Sequence, residues 1–133
     1  MLAMANKRKS LEERKKQALE AAVGLFARRG FHRVRTRDVA VAAGIKEPIV
    51  FRAFGTKNGL IRESLRESSR RIIVAVQETI RANSVADMVR DYARIYRKTA
   101  EEHHLLFHAL AEEHSPPMRA FLRNILREYT EKI

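Results

Sequence analysis

The stretch from Thr36 to Lys57 reads TRDVAVAAGIKEPIVFRAFGTK, and its punctuation decides the fold. Val39, Ala40 and Ala43 fall at the spacing of one helical face, and Ile49, Val50 and Phe54 repeat that spacing in a second short segment. Thr36 is expected to be the N-cap of the first, because its hydroxyl can accept from an early helix N–H. Asp38 then sits in the first turn, against the helix dipole. Gly44 has no Cβ and suits the left-handed position that closes a helix. Pro48 fits the first turn of the next helix, where its missing N–H would have no partner anyway. Two short helices about a tight turn form a helix-turn-helix pattern, whose second helix enters the major groove of DNA.

The flanks add further spaced features. Ala22, Leu25, Phe26, Gly30 and Phe31 precede the turn, and Thr36-Arg37-Asp38-Val39-Ala40 and Ala43-Gly44-Ile45 build it. Phe51-Arg52 and Phe54-Gly55-Thr56-Lys57 follow. On these residues Leu19 to Ile61 closely resembles the DNA-binding domain of TetR-type transcriptional repressors. The resemblance implies a dimer that reads a palindromic operator and is released by a small apolar or amphipathic ligand. It also implies that Lys57 contacts a phosphate. Three positions depart from the family pattern. Phe51 stands where a tyrosine commonly donates to a phosphate, Lys46 replaces a small hydroxyl residue, and Ile49 replaces a common threonine. Family members usually continue with two further long helices that pair across a two-fold axis. The body here is therefore expected to be incomplete relative to the family.

Composition agrees with an all-α chain. The 45% apolar share supports a core, glycine and proline are few, and alternating β-branched runs are absent. The formal net charge of +11 is unevenly spread. Residues 1–58 carry 14 Lys and Arg against 5 Asp and Glu, whereas residues 59–133 carry 13 against 11. A field concentrated on the half with the helix-turn-helix favours a polyanionic partner, nucleic acid or an anionic membrane surface, and the resemblance implies double-stranded DNA. Without cysteine, disulfides and thiol chemistry are excluded. No apolar run is long enough to span a membrane, and MLAMANKRKS lacks a signal-peptide core, so a cytoplasmic protein is expected.

Two units follow from this reading: a helix-turn-helix head over residues 1–57 and a helical body over 58–133. Met1 to Lys9 is a basic arm. Ser10 to Arg29 is a helix opened by the capping box of Ser10 and Glu13, with Leu19, Ala22, Val23, Phe26 and Ala27 as its buried stripe. His32, Arg33, Arg35 and Arg37 form a basic loop beside the turn, which points to phosphate contacts over a plain solvated face. Lys46 to Phe54 is the candidate reading helix. Ile45, Val50 and Phe54 should face the core, leaving Lys46, Glu47, Pro48, Ile49, Phe51 and Arg52 for the groove. There a cation can donate to guanine and an apolar side chain can touch a thymine methyl. Thr36, Arg37 and Lys57 complete the expected DNA-binding set.

Thr56 should cap a long helix reaching about Asn83, with Leu60, Ile61, Leu65, Ile72, Val76 and Ile80 inward and Arg62, Arg66, Arg70 and Arg71 in water. Lys57, at the unfavourable end of that helix's dipole, suits an anion shared with backbone N–H groups. Ser84 and Asp87 start a further helix, whose stripe of Val85, Met88, Val89, Tyr92, Ile95, Tyr96 and Thr99 reads first as core against the long helix. Met88, Tyr92, Tyr96 and Phe107 are the weaker alternative, one wall of a small-molecule pocket. His104, His108 and Glu112 share a face of a helix over 103–114. A zinc site needs about four ligands, so that face reads as polar surface, with metal binding the minor alternative. Ser115-Pro116-Pro117 breaks that helix. The last one carries the stripe Met118, Phe121, Leu122, Ile125, Leu126, Tyr129 and Ile133, and self-association is expected through Leu122, Ile125, Leu126 and Tyr129.

No Ser/His/Asp arrangement, glycine-rich phosphate loop or zinc-protease motif occurs, so no enzyme and no cofactor are expected. The favoured function is a DNA-binding regulator, and the resemblance implies that it acts as a repressor. Its alternative is a truncated, non-sensing relative that acts as an interaction or DNA-packaging protein.

Overall fold

The computed structural model describes residues 10–79, 84–112 and 116–132, and every regular element among them is a helix. In order these are α1 (Leu11–Arg29), α2 (Thr36–Ala43), α3 (Glu47–Phe54), α4 (Lys57–Thr79), α5 (Val85–Lys98), α6 (Ala100–Glu112) and α7 (Pro116–Lys132). No helix among the described residues is long and apolar enough to cross a membrane. The basic arm Met1–Lys9, Ile80 to Asn83 and Ser115 lie outside the described residues.

The expected capping box opens α1. Ser10 Oγ accepts from the Glu13 N–H, and the Glu13 carboxylate accepts from the Ser10 N–H, each at 3.1 Å. The start of α2 differs from expectation. Its N-cap is Arg35, whose N–H donates to Asp38 Oδ2 at 2.8 Å, so Thr36 is the first helical residue. The Val39 N–H donates to the Arg35 carbonyl, so the Thr36 hydroxyl does not cap the helix. Gly44 takes φ +69° and closes α2 in the left-handed conformation, as its lack of a Cβ allows.

Thr56 caps α4 by accepting from the Gly59 N–H at 3.0 Å. Gly59 has a second role: a Cβ there would collide with the Phe54 carbonyl, so the glycine lets the end of α3 lie directly on the start of α4. Val50, Leu60 and Val39 are buried against Ala22 and Phe26 of α1, which makes α1 the floor of the helix-turn-helix. The Phe26 and Phe31 rings meet edge-on with centroids 5.3 Å apart, the arrangement aromatic quadrupoles prefer. The same cluster takes in Leu105 and Ala109 of α6 and Ile125 of α7. A second, smaller cluster joins Ile72, Ala75 and Val76 of α4 to Ile95 of α5.

Three expectations about the body are corrected. Arg71, assigned to the wet side of α4, is half-buried because three carboxylates converge on it. On α5 only the last part of the stripe is inward. Ile95 and Thr99 are buried, while Val85, Met88, Val89 and Tyr92 are 58–77% exposed. The apolar arc of α5 is wider than its contact with α4, and the helix lies on the edge of that arc, drawing in Asp91. On α7, Ile125 is buried in the shared core and Phe121 is half-buried, so Ile125 is core and not free surface. The side chains of Met118, Leu122, Leu126 and Tyr129, and the whole of Ile133, lie outside the described set.

Candidate nucleic-acid interface

The second helix of the motif stands on its apolar edge. Val50 is buried and Ile45, Ile49 and Phe54 are half-buried, whereas Lys46, Pro48, Phe51 and Arg52 are exposed. Ile49, expected in the groove, is half-buried and lines the side of α3, while Ile45 and Phe54 pack on the core. Lys46 is the N-cap and Pro48 lies in the first turn, so α3 presents its positive end with a lysine beside it.

Two clefts flank α3. The first is lined by Arg35, Thr36, Arg37, Glu47, Phe51 and Lys57. It gathers residues from the loop before α2, from the starts of α2 and α3, from the middle of α3 and from the first turn of α4. Lys57 is half-buried there, and the Phe51 ring, without a hydroxyl, forms one wall. The Thr36 hydroxyl donates to Glu47 Oε1 at 3.5 Å, which puts one carboxylate within a ring of cations. Chemically this is an anion site with one opposing charge.

The second cleft runs along the other side of α3, between Lys46, Pro48, Ile49 and Arg52 and the start of α1. Arg14 and Gln17 of α1 border it. Sequence reasoning missed this pair. They sit on α1 opposite its apolar stripe, where a polar side chain ordinarily signals only solvent. Nothing local marks them, although an arginine and a glutamine three apart on a helix beside the motif are suited to phosphate and base contacts. Lys15 lies with Nζ 5.6 Å from the Phe54 ring centroid, a cation–π contact that fastens α1 to the end of α3. His32 and Arg33 are exposed in the loop ahead of Arg35.

The body's candidates are arranged differently. Tyr96 is half-buried and its hydroxyl lies 3.4 Å from His104 Nε2, while the His103 ring lies 5.1 Å from Tyr96 and 6.2 Å from Phe107. Met88 and Tyr92 lie exposed on the earlier turns of α5, and Phe107 is exposed on α6. The four therefore sit on an open surface, and the cleft between α4 and α7 is lined instead by Ser69, Ile73, Val74, Ile125 and Glu128 among others. Among the described residues no group of three His, Asp or Glu is placed to hold a metal ion. His104 faces Tyr96, His108 Nε2 donates to the Ala27 carbonyl at 3.2 Å, and the Glu112 side chain is outside the described set.

Head and body are tied by an ion network. Arg71 of α4 meets Glu67 at 3.0 Å, Glu102 of α6 at 3.3 Å and Glu20 of α1 at 3.8 Å. The hydrogen bond from Arg70 holds the Glu67 carboxyl below its usual range, with Arg71 assisting and burial opposing. Burial works to lower the Arg71 value, but its bonds to Glu67 and Glu102 outweigh that and raise it.

Comparison with known proteins agrees with this geometry. Residues 18–64 match the model of the bacterial regulatory proteins of the tetR family. An HTH-type transcriptional regulator, BetI from Vibrio campbellii, is 30% identical over 69 residues, covering 52% of this chain and 35% of its own. A tetR-family transcriptional regulator from Streptomyces coelicolor superposes with a TM-score of 0.74 at 23% identity, over 93% of this chain and 57% of that one. The multidrug binding protein EbrR, complexed with imidazole, superposes with a TM-score of 0.65 at 20% identity, over 90% of this chain and 64% of its own. The chain thus spans about a third of the curated relative and less than two-thirds of these solved structures.

Proposed function

Residues 18–64 being a TetR-type helix-turn-helix head, we propose that this protein is a transcriptional repressor that reads duplex DNA with α3. The observation that carries the reading is the stance of α3. Val50 is buried on α1 while Lys46, Pro48, Phe51 and Arg52 stand exposed between two clefts bordered by arginine and lysine. Lys46 and Arg52 donate to base edges. Lys57, Arg37 and the hydroxyl of Thr36 hold phosphates on one flank, with Arg14 and Gln17 on the other.

One such head reads only a few base pairs, so two heads about 34 Å apart act on a palindrome as a homodimer. A small apolar or amphipathic effector shifts the body between shapes that seat or misplace the heads. The α4–α7 cleft supports this, since Ile73, Val74 and Ile125 offer an apolar lining beside Ser69 and Glu128. The role is binding, not catalysis.

Selection of bound duplexes from a random pool, with the mass in solution measured alongside, tests the proposal. A palindromic consensus and twice the chain mass are expected. Sequence-indifferent binding by a monomer would favour the DNA-packaging alternative and overturn the repressor reading.

A further inference from the structure

We propose that Glu47 limits how tightly this protein holds the DNA backbone, because its carboxylate occupies the anion cleft beside α3. The inference rests on the DNA-reading role proposed above and deepens it. Glu47 is the first residue of α3 and half-buried. Its side chain accepts a long hydrogen bond, 3.5 Å, from the Thr36 hydroxyl, the group otherwise placed to donate to a phosphate. The other charged groups lining the cleft are the cations Arg35, Arg37 and Lys57. A phosphate entering this cleft meets three positive charges and one negative one, and must take the Thr36 hydroxyl from a carboxylate.

The placement is stable for a local reason. A carboxylate in the first turn of a helix is favoured by the dipole, so α3 gains from Glu47 when no DNA is present. The same dipole and the same hydroxyl would serve a phosphate oxygen, so the two anions compete for one set of donors. Like charges about 4 Å apart in water oppose each other by a factor of roughly five in an equilibrium constant. The opposition acts on backbone contacts, so it applies to every duplex whatever its sequence. In a chain of net charge +11, such a brake counters indiscriminate capture by nucleic acid.

The test compares Glu47→Gln, which removes the charge at constant size, with Glu47→Asp, which keeps it. Full-length protein is titrated against its selected duplex and a scrambled duplex over a range of salt. E47Q should bind both duplexes roughly five-fold tighter, with a salt dependence steeper by up to about one in log–log slope. E47D should track the parent chain. A purely structural role would instead lower the melting temperature of E47Q and weaken binding without steepening the slope, and that result overturns the proposal. A loss confined to the selected duplex would make Glu47 a base-reading group and also overturn it. A parent chain that binds neither duplex would overturn the DNA-reading role itself, and this inference with it.

Discussion

Arg71 and Glu102, from the middle of α4 and the start of α6, meet at 3.3 Å, and through that guanidinium three helices are tied at one point. Glu20 of α1 lies 3.8 Å from it on the other side, so the floor of the head and the body share a single charge. Arg28 of α1 and Glu101 of α6 add an outer ion pair at 3.3 Å, and His108 of α6 donates to the Ala27 carbonyl near the end of α1. Whatever tilts α6 therefore pulls on the helix against which α3 is packed.

This network sets an acid-side stability limit. Glu67 has a lowered pKa when folded, so its contribution is fully present above its unfolded value, about 4.3, and is lost as pH falls through the folded value. Arg71→Ala should cost about 1–2 kcal/mol at neutral pH, between the ranges for exposed and buried pairs. It should also flatten the acid-side decline, though only in part, because Arg70 still holds Glu67. Thermal melts of both chains between about pH 3 and 7 measure this. Parallel curves would mean that Arg71 contributes through packing alone.

Lys46→Ala and Arg52→Ala should each weaken the selected duplex by roughly 1–3 kcal/mol and relax preference at particular base pairs. Lys57→Ala should weaken selected and scrambled duplexes about equally, and lower the salt slope by about one. If Lys46 and Arg52 variants keep the parent's base preference, α3 is not the reading helix.

Gly59→Ala probes the junction of α3 and α4. The added methyl meets the Phe54 carbonyl, so either α4 must shift or the end of α3 must lift. A loss of about 1–3 kcal/mol in stability is expected, with a larger proportional loss of DNA binding because the reading helix is re-aimed. Denaturant titration and duplex binding on one sample compare the two losses. Equal binding by parent and variant would show that this contact does not set the angle of α3.

Met88→Glu and Ile125→Glu separate surface from core. Met88 is 58% exposed, so its variant should stay within about 0.5 kcal/mol of the parent in monomer stability. Ile125 is 4% exposed, and burying a charge there should unfold the body. Sedimentation of the Met88 variant adds a second readout. A drop to the monomer mass would place self-association on the open face of α5, while an unchanged dimer mass would leave it elsewhere.

Much of the head was legible because its signals are local. Gly44 must take a positive φ, Ser10 and Glu13 cap each other across three residues, and the stripe of α1 follows from the helical period. The all-α class and the separation of Val50 from Lys46 and Arg52 came from the same arithmetic. Periodicity identifies an apolar face but does not say what covers it. For α5 it singled out Val85, Met88, Val89 and Tyr92, yet the helix docks through Ile95 and Asp91 and leaves those four in water. Tertiary packing also decided which hydrogen bonds the polar residues make. Asp38 accepts from the N–H of the N-cap residue Arg35, and Thr36, expected to cap, turned to Glu47, eleven residues away on another helix. Arg14 and Gln17 border α3 only because α1 packs against it. The physical division is one of range: caps, turns and faces depend on neighbours within a helical turn, whereas the partners of a charge or an apolar stripe depend on how whole helices cross.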